Sequence, residues 1–179
     1  MLSFFHFALP AIYSLLFLFV YQPPQRFVIF LIGLYLGFSL LFLDRILHIF
    51  FIEPEAEYSQ ILIDTLRQKK FLLFFKTVLL SRAHQQHLIT RSVLFLAAYA
   101  GTAFFVITST GSTIGTGIVL GIGLHYSFDF FRYARNSDLL HKHFLWQIKK
   151  TFKQQEMSAL CGAICIFFLL LTVLAFAGA

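Results

Sequence analysis

Two pairs of ionisable side chains stand out because they occur inside otherwise apolar stretches of the sequence. Asp44 and His48 lie in LDRILHIFFI, and His125 and Asp129 lie in GLHYSFDF. In each pair the imidazole and the carboxylate are four residues apart, about one helical turn, so both project from the same face of a helix. Such pairs ligate metal ions, exchange protons or take part in ion pairs.

Four such groups within reach of one another could bind a divalent metal ion. Imidazole and carboxylate are ligands of Zn or Mn, and the bound ion would lower the pKa of a water molecule and make it a nucleophile. Arg45 and Arg132 would then hold an anionic headgroup. One hypothesis is therefore a metal-dependent hydrolase of a membrane-associated substrate, with four metal ligands: Asp44, His48, His125 and Asp129.

The same residues support two other interpretations. Asp44 could pair with Arg132, and Asp129 with Arg45, so that buried ion pairs fix the helices without any ligand. The protein would then be a non-enzymatic membrane scaffold or assembly subunit, with hydrogen-bonded packing histidines. Intramembrane ionisable groups also occur in proton and ion pathways, which here would require oligomerisation. The sequence leaves open which of the three applies, and so whether the protein is an enzyme.

The composition indicates that lipid surrounds most of the chain. Of its 179 residues, 59% are hydrophobic and 12% are charged, and the mean hydropathy is +0.80; a soluble domain is about one-quarter charged. A bilayer crossing takes roughly 20 apolar helical residues. The sequence predicts an all-α fold, a single polytopic transmembrane helix bundle over residues 1–179, with about five spans: 2–21, 26–48, 92–110, 115–133 and 158–178.

Basic residues are concentrated in two of the segments between the predicted spans. Residues 53–91 contain six Lys or Arg, and residues 132–156 contain another six, out of fourteen in the chain. Because Lys and Arg accumulate in cytoplasmic loops, we predict that both segments are cytoplasmic. With five spans in a cell (inner) membrane, the N-terminus then lies in the cytoplasm and the C-terminus outside.

The two cytoplasmic segments, 53–91 and 134–157, mix apolar and basic residues. This pattern predicts amphipathic helices in the headgroup layer with their lysines near anionic lipid, although a lid packed on the bundle fits the pattern equally well. The expected partners are the bilayer, its anionic headgroups, and a protein partner or second copy of the chain. The net charge of +6 is explained by topology, so nucleic acid is not an expected partner. In the fourth span, Gly117 and Gly121 could let a neighbouring helix approach closely.

The stretches LDRILH and GLHYSFDF resemble short His and Asp motifs of the bacterial membrane-bound metal-dependent hydrolase-like family of small multi-span proteins. The resemblance covers two short parts of the chain. It implies hydrolase activity that depends on a metal, with Asp44, His48, His125 and Asp129 as the candidate ligands. The His-Arg and Thr-His-Ser elements usual in that family do not occur in this sequence.

The predicted topology can be tested by labelling single cysteines in a chain whose two native cysteines have been replaced. A membrane-impermeant thiol reagent added outside should label a cysteine near Gly111 and should not label one near Gln85. Labelling of both positions from the same side would contradict the five-span topology.

Overall fold

The computed structural model of the chain describes residues 2–80, 88–134, 136–150 and 152–178; for residues 2–7, 79, 80 and 137 it describes the backbone only. Within these ranges the regular elements are all helical, which confirms the predicted all-α bundle. The α-helices are α1 Leu2–Ser14, α2 Pro24–Leu47, α3 Glu57–Arg67, α4 Phe71–Leu80, α5 Val93–Phe105, α6 Thr113–Tyr133, α7 Ser137–Phe144 and α8 Gln154–Ala177.

Four helical stretches are long and apolar enough to cross a bilayer. Two of them continue an α-helix through a π-helical turn, His48–Ile52 after α2 and Val106–Thr110 after α5. The four stretches are Pro24–Ile52, Val93–Thr110, Thr113–Tyr133 and Gln154–Ala177, and they coincide with the last four predicted spans. In the first predicted span, 2–21, the apolar helix found among the described residues covers Ala8–Phe17. Because this helix is shorter than a bilayer crossing, the span over residues 2–21 stays a prediction.

The contact between α2 and α6 is the most extensive between any two of the described helices. Each helix presents two glycines four residues apart to the other, Gly33 and Gly37 from α2 and Gly117 and Gly121 from α6. A Cβ atom added at any of the four would overlap backbone atoms of the facing helix. Only glycine permits this separation. The close approach predicted at Gly117 and Gly121 is confirmed, and the helix that approaches is α2.

The facing residues of α2 and α6 keep a constant offset along the chain, so the two helices run in the same direction. Backbone and side-chain contacts join Gly117 to Phe30, Gly121 to Leu34, and His125 to Phe38. The same difference in residue number places Asp129 of α6 level with residue 42 of α2. Asp44 and Asp129 therefore differ in depth by about two residues, or roughly 3 Å at a rise of 1.5 Å per residue.

The remaining long helices pack around this central pair. α8 lies against α6, and α1 is joined to α8 by a hydrogen bond between the Tyr13 hydroxyl and Thr172 Oγ1 at 2.8 Å. α5 is attached more loosely, since its only buried residues are Tyr99 and Ala103. The Tyr99 hydroxyl donates to the carbonyl oxygen of Val119 in α6 at 2.9 Å.

The helices α3 and α4 form a small amphipathic unit beside the end of α2. Its apolar core consists of Ile49, Leu62, Phe74 and Val78. α4 also carries an exposed apolar surface, on which Leu72 is 86% exposed. An exposed apolar surface on an amphipathic helix is compatible with a position in the headgroup layer, and that position stays a prediction.

The glycine contact predicts a clear difference between two alanine substitutions. Gly37→Ala should lower the free energy of unfolding by about 1–3 kcal/mol, because its Cβ overpacks against the backbone of α6. Gly101→Ala is the control, since a Cβ there meets nothing within 4 Å. Unfolding by SDS in mixed micelles, followed by circular dichroism, measures both variants. Equal stability of the two would contradict the glycine contact.

Candidate functional site

His125 and Asp129 lie one turn apart on the face of α6 that packs against α2, below the two glycines of that helix. His125 Nδ1 is 2.7 Å from the carbonyl oxygen of Phe38 in α2. A carbonyl oxygen only accepts, so Nδ1 carries the proton and donates. The ring therefore turns Nε2 toward Asp129, whose Oδ2 lies 3.6 Å away. Both side chains are buried, and Asp129 is 0% exposed.

Asp129 has a cationic partner that the sequence interpretation did not single out. Arg91 Nη2 donates to Asp129 Oδ2 at 2.5 Å. The Arg91 side chain is 1% exposed, and its guanidinium carbon lies 5.9 Å from the ring centroid of Phe144 in α7. This is a buried, charge-assisted pair with an aromatic ring beside the cation, and both features stabilise a guanidinium away from water.

Asp44 of α2 is bound by the residue next to Arg91. The backbone N–H and the hydroxyl of Thr90 both donate to Asp44 Oδ2, at 2.9 Å and 2.8 Å. The Tyr126 hydroxyl of α6 donates in turn to the carbonyl oxygen of Thr90. The short segment Leu88–Ser92 is therefore held by α2 on one side and α6 on the other. We call these contacts of Thr90 and Arg91 the clasp.

The segment held by the clasp leads directly into α5. Ser92 is the N-cap of α5, and its side-chain oxygen accepts from the backbone N–H of Phe95 at 3.1 Å. The clasp thus sets where the basic segment ends and where the next long helix begins. The sequence contains a signal for this contact, because the polar residues Thr-Arg-Ser directly precede an apolar span. From the sequence, Arg91 is noted only as one of the basic residues of segment 53–91.

The other predicted site residues lie in different surroundings. Arg45 is buried beside Asp44, and Arg132 is exposed. His48 is buried, and its Nε2 lies 3.9 Å from Glu53 Oε1 at the end of the π-helical turn. By the offset between α2 and α6, His48 is ten residues below the level of His125, or about 15 Å along the axis.

This separation bears on the predicted metal site. Two ligands of one zinc ion lie within about 4 Å of each other, since each is about 2 Å from the metal. His48 and His125 are too far apart along the axis to share an ion, and within the described residues there is no group of three or more His, Cys, Asp or Glu that could hold one. The metal site at Asp44, His48, His125 and Asp129 stays a prediction, and only a subset of the four could contribute to one ion.

Comparisons with protein-family models, with curated proteins and with solved structures gave no match to this chain.

The clasp predicts a non-additive result in a double-mutant cycle. Arg91→Met and Asp129→Leu should each lower the free energy of unfolding by about 3–5 kcal/mol, because each leaves an uncompensated buried charge. The double variant should lose much less than the sum, since neither charge remains. The readout is again SDS unfolding in mixed micelles.

Arg132→Met is the matched control for this cycle, because it removes an exposed arginine from the same helix as Asp129. It should change stability by no more than about 0.5 kcal/mol. Additive losses in the double variant would show that Arg91 and Asp129 do not act as a pair.

Proposed function

We propose that the protein is a non-enzymatic multi-pass protein of the cell (inner) membrane, a scaffold or assembly subunit. In this proposal the buried Asp, Arg and His side chains hold the helices in place, and the basic segments bind anionic lipid headgroups on the cytoplasmic side. The N-terminus is then cytoplasmic and the C-terminus is outside.

One observation carries the structural role of the polar cluster. Its two carboxylates are matched by two guanidinium groups that are also buried, so with neutral imidazoles the cluster has no net charge; the four residues are Asp44, Asp129, Arg45 and Arg91. A divalent ion would add two positive charges to a site of low dielectric, where uncompensated charge is costly. Arg91 already supplies the positive charge that a metal would bring to Asp129, and Thr90 supplies two donors to Asp44.

The position of the clasp supports the proposed role of the basic segments. The helices α3 and α4 are tied to the end of α2 by an apolar core, and the clasp fixes the chain where the segment ends. Lys69 and Lys70, between the two helices, are exposed, and so are Lys149 and Lys150 before α8. Basic residues near the membrane surface attract anionic lipid by about 1 kcal/mol each.

The single tryptophan of the chain, Trp146, offers a test of lipid binding. Wild type is placed in nanodiscs of equal phosphatidylglycerol and phosphatidylcholine, with bromine atoms on the chains of one lipid or of the other. Quenching should be stronger when phosphatidylglycerol carries the bromine. The variant K69Q/K70Q/K149Q/K150Q should lose this difference, because it lacks the charges that attract the anionic lipid.

A variant with four exposed glutamines changed to alanine, Q68A/Q147A/Q154A/Q155A, serves as the control, because it alters neighbouring positions without changing charge. It should keep the wild-type preference for phosphatidylglycerol. An equal preference in the lysine variant would refute the lipid-binding part of the proposal.

A metal-dependent hydrolase remains the second candidate, and one observation favours it. The hydrogen bond from His125 Nδ1 to Phe38 orients the ring as in many metal sites, where the second nitrogen is the ligand. His125 Nε2 and Asp129 Oδ2 are close enough to share an ion. Such a site would need a third ligand from elsewhere, and the metal would have to compete with Arg91 for the carboxylate.

Metal analysis separates the two candidates. Purified protein is incubated with zinc or manganese, desalted, and measured by plasma mass spectrometry. The first proposal predicts no stoichiometric metal in wild type. About one ion per chain, retained in the control His141→Ala and lost in His125→Ala, would replace the first proposal with the second.

A further inference from the structure

A polar cavity of about 200 Å³ lies at the end of the bundle opposite the clasp. It forms where four parts of the chain meet: the connection between α1 and α2 with the first turn of α2, the end of the α5 stretch with the turn that follows it, the start of α6, and the end of α8. The residues that matter for its chemistry are Tyr21, Arg26, Thr113 and Thr116.

Among the described residues, Arg26 is the one Lys or Arg that lines this cavity. The chain has eight acidic residues, and all of them lie toward the other end, in the lower parts of α2 and α6 or in the segments that follow or precede the helices there: Asp44, Glu53, Glu55, Glu57, Asp64, Asp129, Asp138 and Glu156. Within the described part of the chain the Arg26 side chain forms neither an ion pair nor a hydrogen bond, and it is exposed at the cavity. Its positive charge is therefore not balanced by any described side chain.

The other polar groups of the cavity are hydroxyls. Tyr21 and Thr116 are buried, and Thr113 is the first residue of α6. Hydroxyls donate as well as accept, so they complement an anion as readily as a cation, whereas the guanidinium selects the anion. Because α2 and α6 run in the same direction, both begin near this cavity, and their helix dipoles add to the positive potential of Arg26.

The depth of the cavity limits the class of anion. Arg26 lies in the first turn of α2, where the chain enters the bilayer in the predicted topology. Lipid phosphates lie at this level, just outside the hydrocarbon core. A guanidinium binds phosphate through two parallel N–H···O bonds, which a single lysine ammonium cannot reproduce.

We propose that this cavity is a binding site for a phosphate group, with Arg26 as the main ligand and with the hydroxyls of Thr113, Thr116 and Tyr21 around it. The phosphate is supplied either by a phospholipid headgroup of the leaflet at that end or by a free phosphate ion. The site shares no residue with the clasp or the basic segments, and it rests on the proposed function only for the depth of Arg26 in the membrane.

Two binding measurements on the full chain test the site and distinguish its two sources of phosphate. Equilibrium dialysis of radiolabelled inorganic phosphate against detergent-solubilised protein measures the free ion. Native mass spectrometry of protein released from phosphatidylglycerol nanodiscs counts the lipids that stay bound. In at least one measurement, wild type should bind one phosphate group per chain, and Arg26→Gln should weaken this binding at least tenfold.

Three further variants sharpen the result. Arg26→Lys should retain part of the binding, because it keeps the charge without the paired donors, and Thr113→Val should weaken binding without changing charge. Arg67→Gln removes the same charge at the other end, where the arginine is exposed, and should leave binding unchanged.

The outcomes distinguish a lipid headgroup site, a site for the free phosphate ion, and the absence of a phosphate site. A loss with Arg26→Gln in the lipid measurement identifies a headgroup site, and a loss in the dialysis measurement identifies an ion site. No binding by wild type in either measurement would overturn the proposal. Equal losses with Arg26→Gln and Arg67→Gln would also overturn it, since they would show an effect of net charge alone. Circular dichroism of each variant confirms that the helices are intact.

Discussion

The contact between α2 and α6 determines how the rest of the molecule is arranged. Four glycines allow the two backbones to approach so closely that no side chain separates them, and the contact therefore fixes both the separation and the register of the helices. In a bilayer, where lipid tails are as apolar as leucine, such close packing is a main source of helix association. The register then brings His125 to the carbonyl oxygen of Phe38 and sets the depth of Asp129 relative to Asp44.

Once these carboxylates are buried at similar depth, the chain has to supply donors for them. It does so from a segment outside the two helices: Thr90 binds Asp44, and Arg91 binds Asp129. Removing either partner would leave a charge or a polar group without compensation in a dry interior, which costs far more than an exposed pair contributes. The clasp is therefore both a consequence of the glycine contact and a constraint on where α5 begins.

Much of this fold could be predicted from the sequence, because the determining signals are local. Long apolar runs predicted the last four spans to within a few residues, and the spacing of Asp44 from His48 placed both on one helical face. The partner of Asp129 could not be predicted in this way. Arg91 lies far from it along the chain, and only the tertiary packing of the segment before α5 brings the two together.

The relative depth of the four candidate ligands could likewise not be predicted from local sequence signals. The metal hypothesis requires the four groups to lie within reach of one another, but the axial separation of His48 and His125 depends on the register of the two helices. That register is set by Gly33 and Gly37, whose role becomes visible only when the glycines of α6 are placed opposite them.

The two ends of the bundle differ in how their charged side chains are balanced. Near the clasp, two buried carboxylates are matched in number by two buried guanidinium groups. At the other end, no described acidic residue balances the charge of Arg26, so a bound anion would balance it. A cation in a polar cavity at headgroup depth gains most from an anion supplied by its surroundings. The buried carboxylates have donors within the protein, whereas Arg26 has no ion-pair or hydrogen-bond partner among the described side chains and is the arginine for which a ligand is proposed.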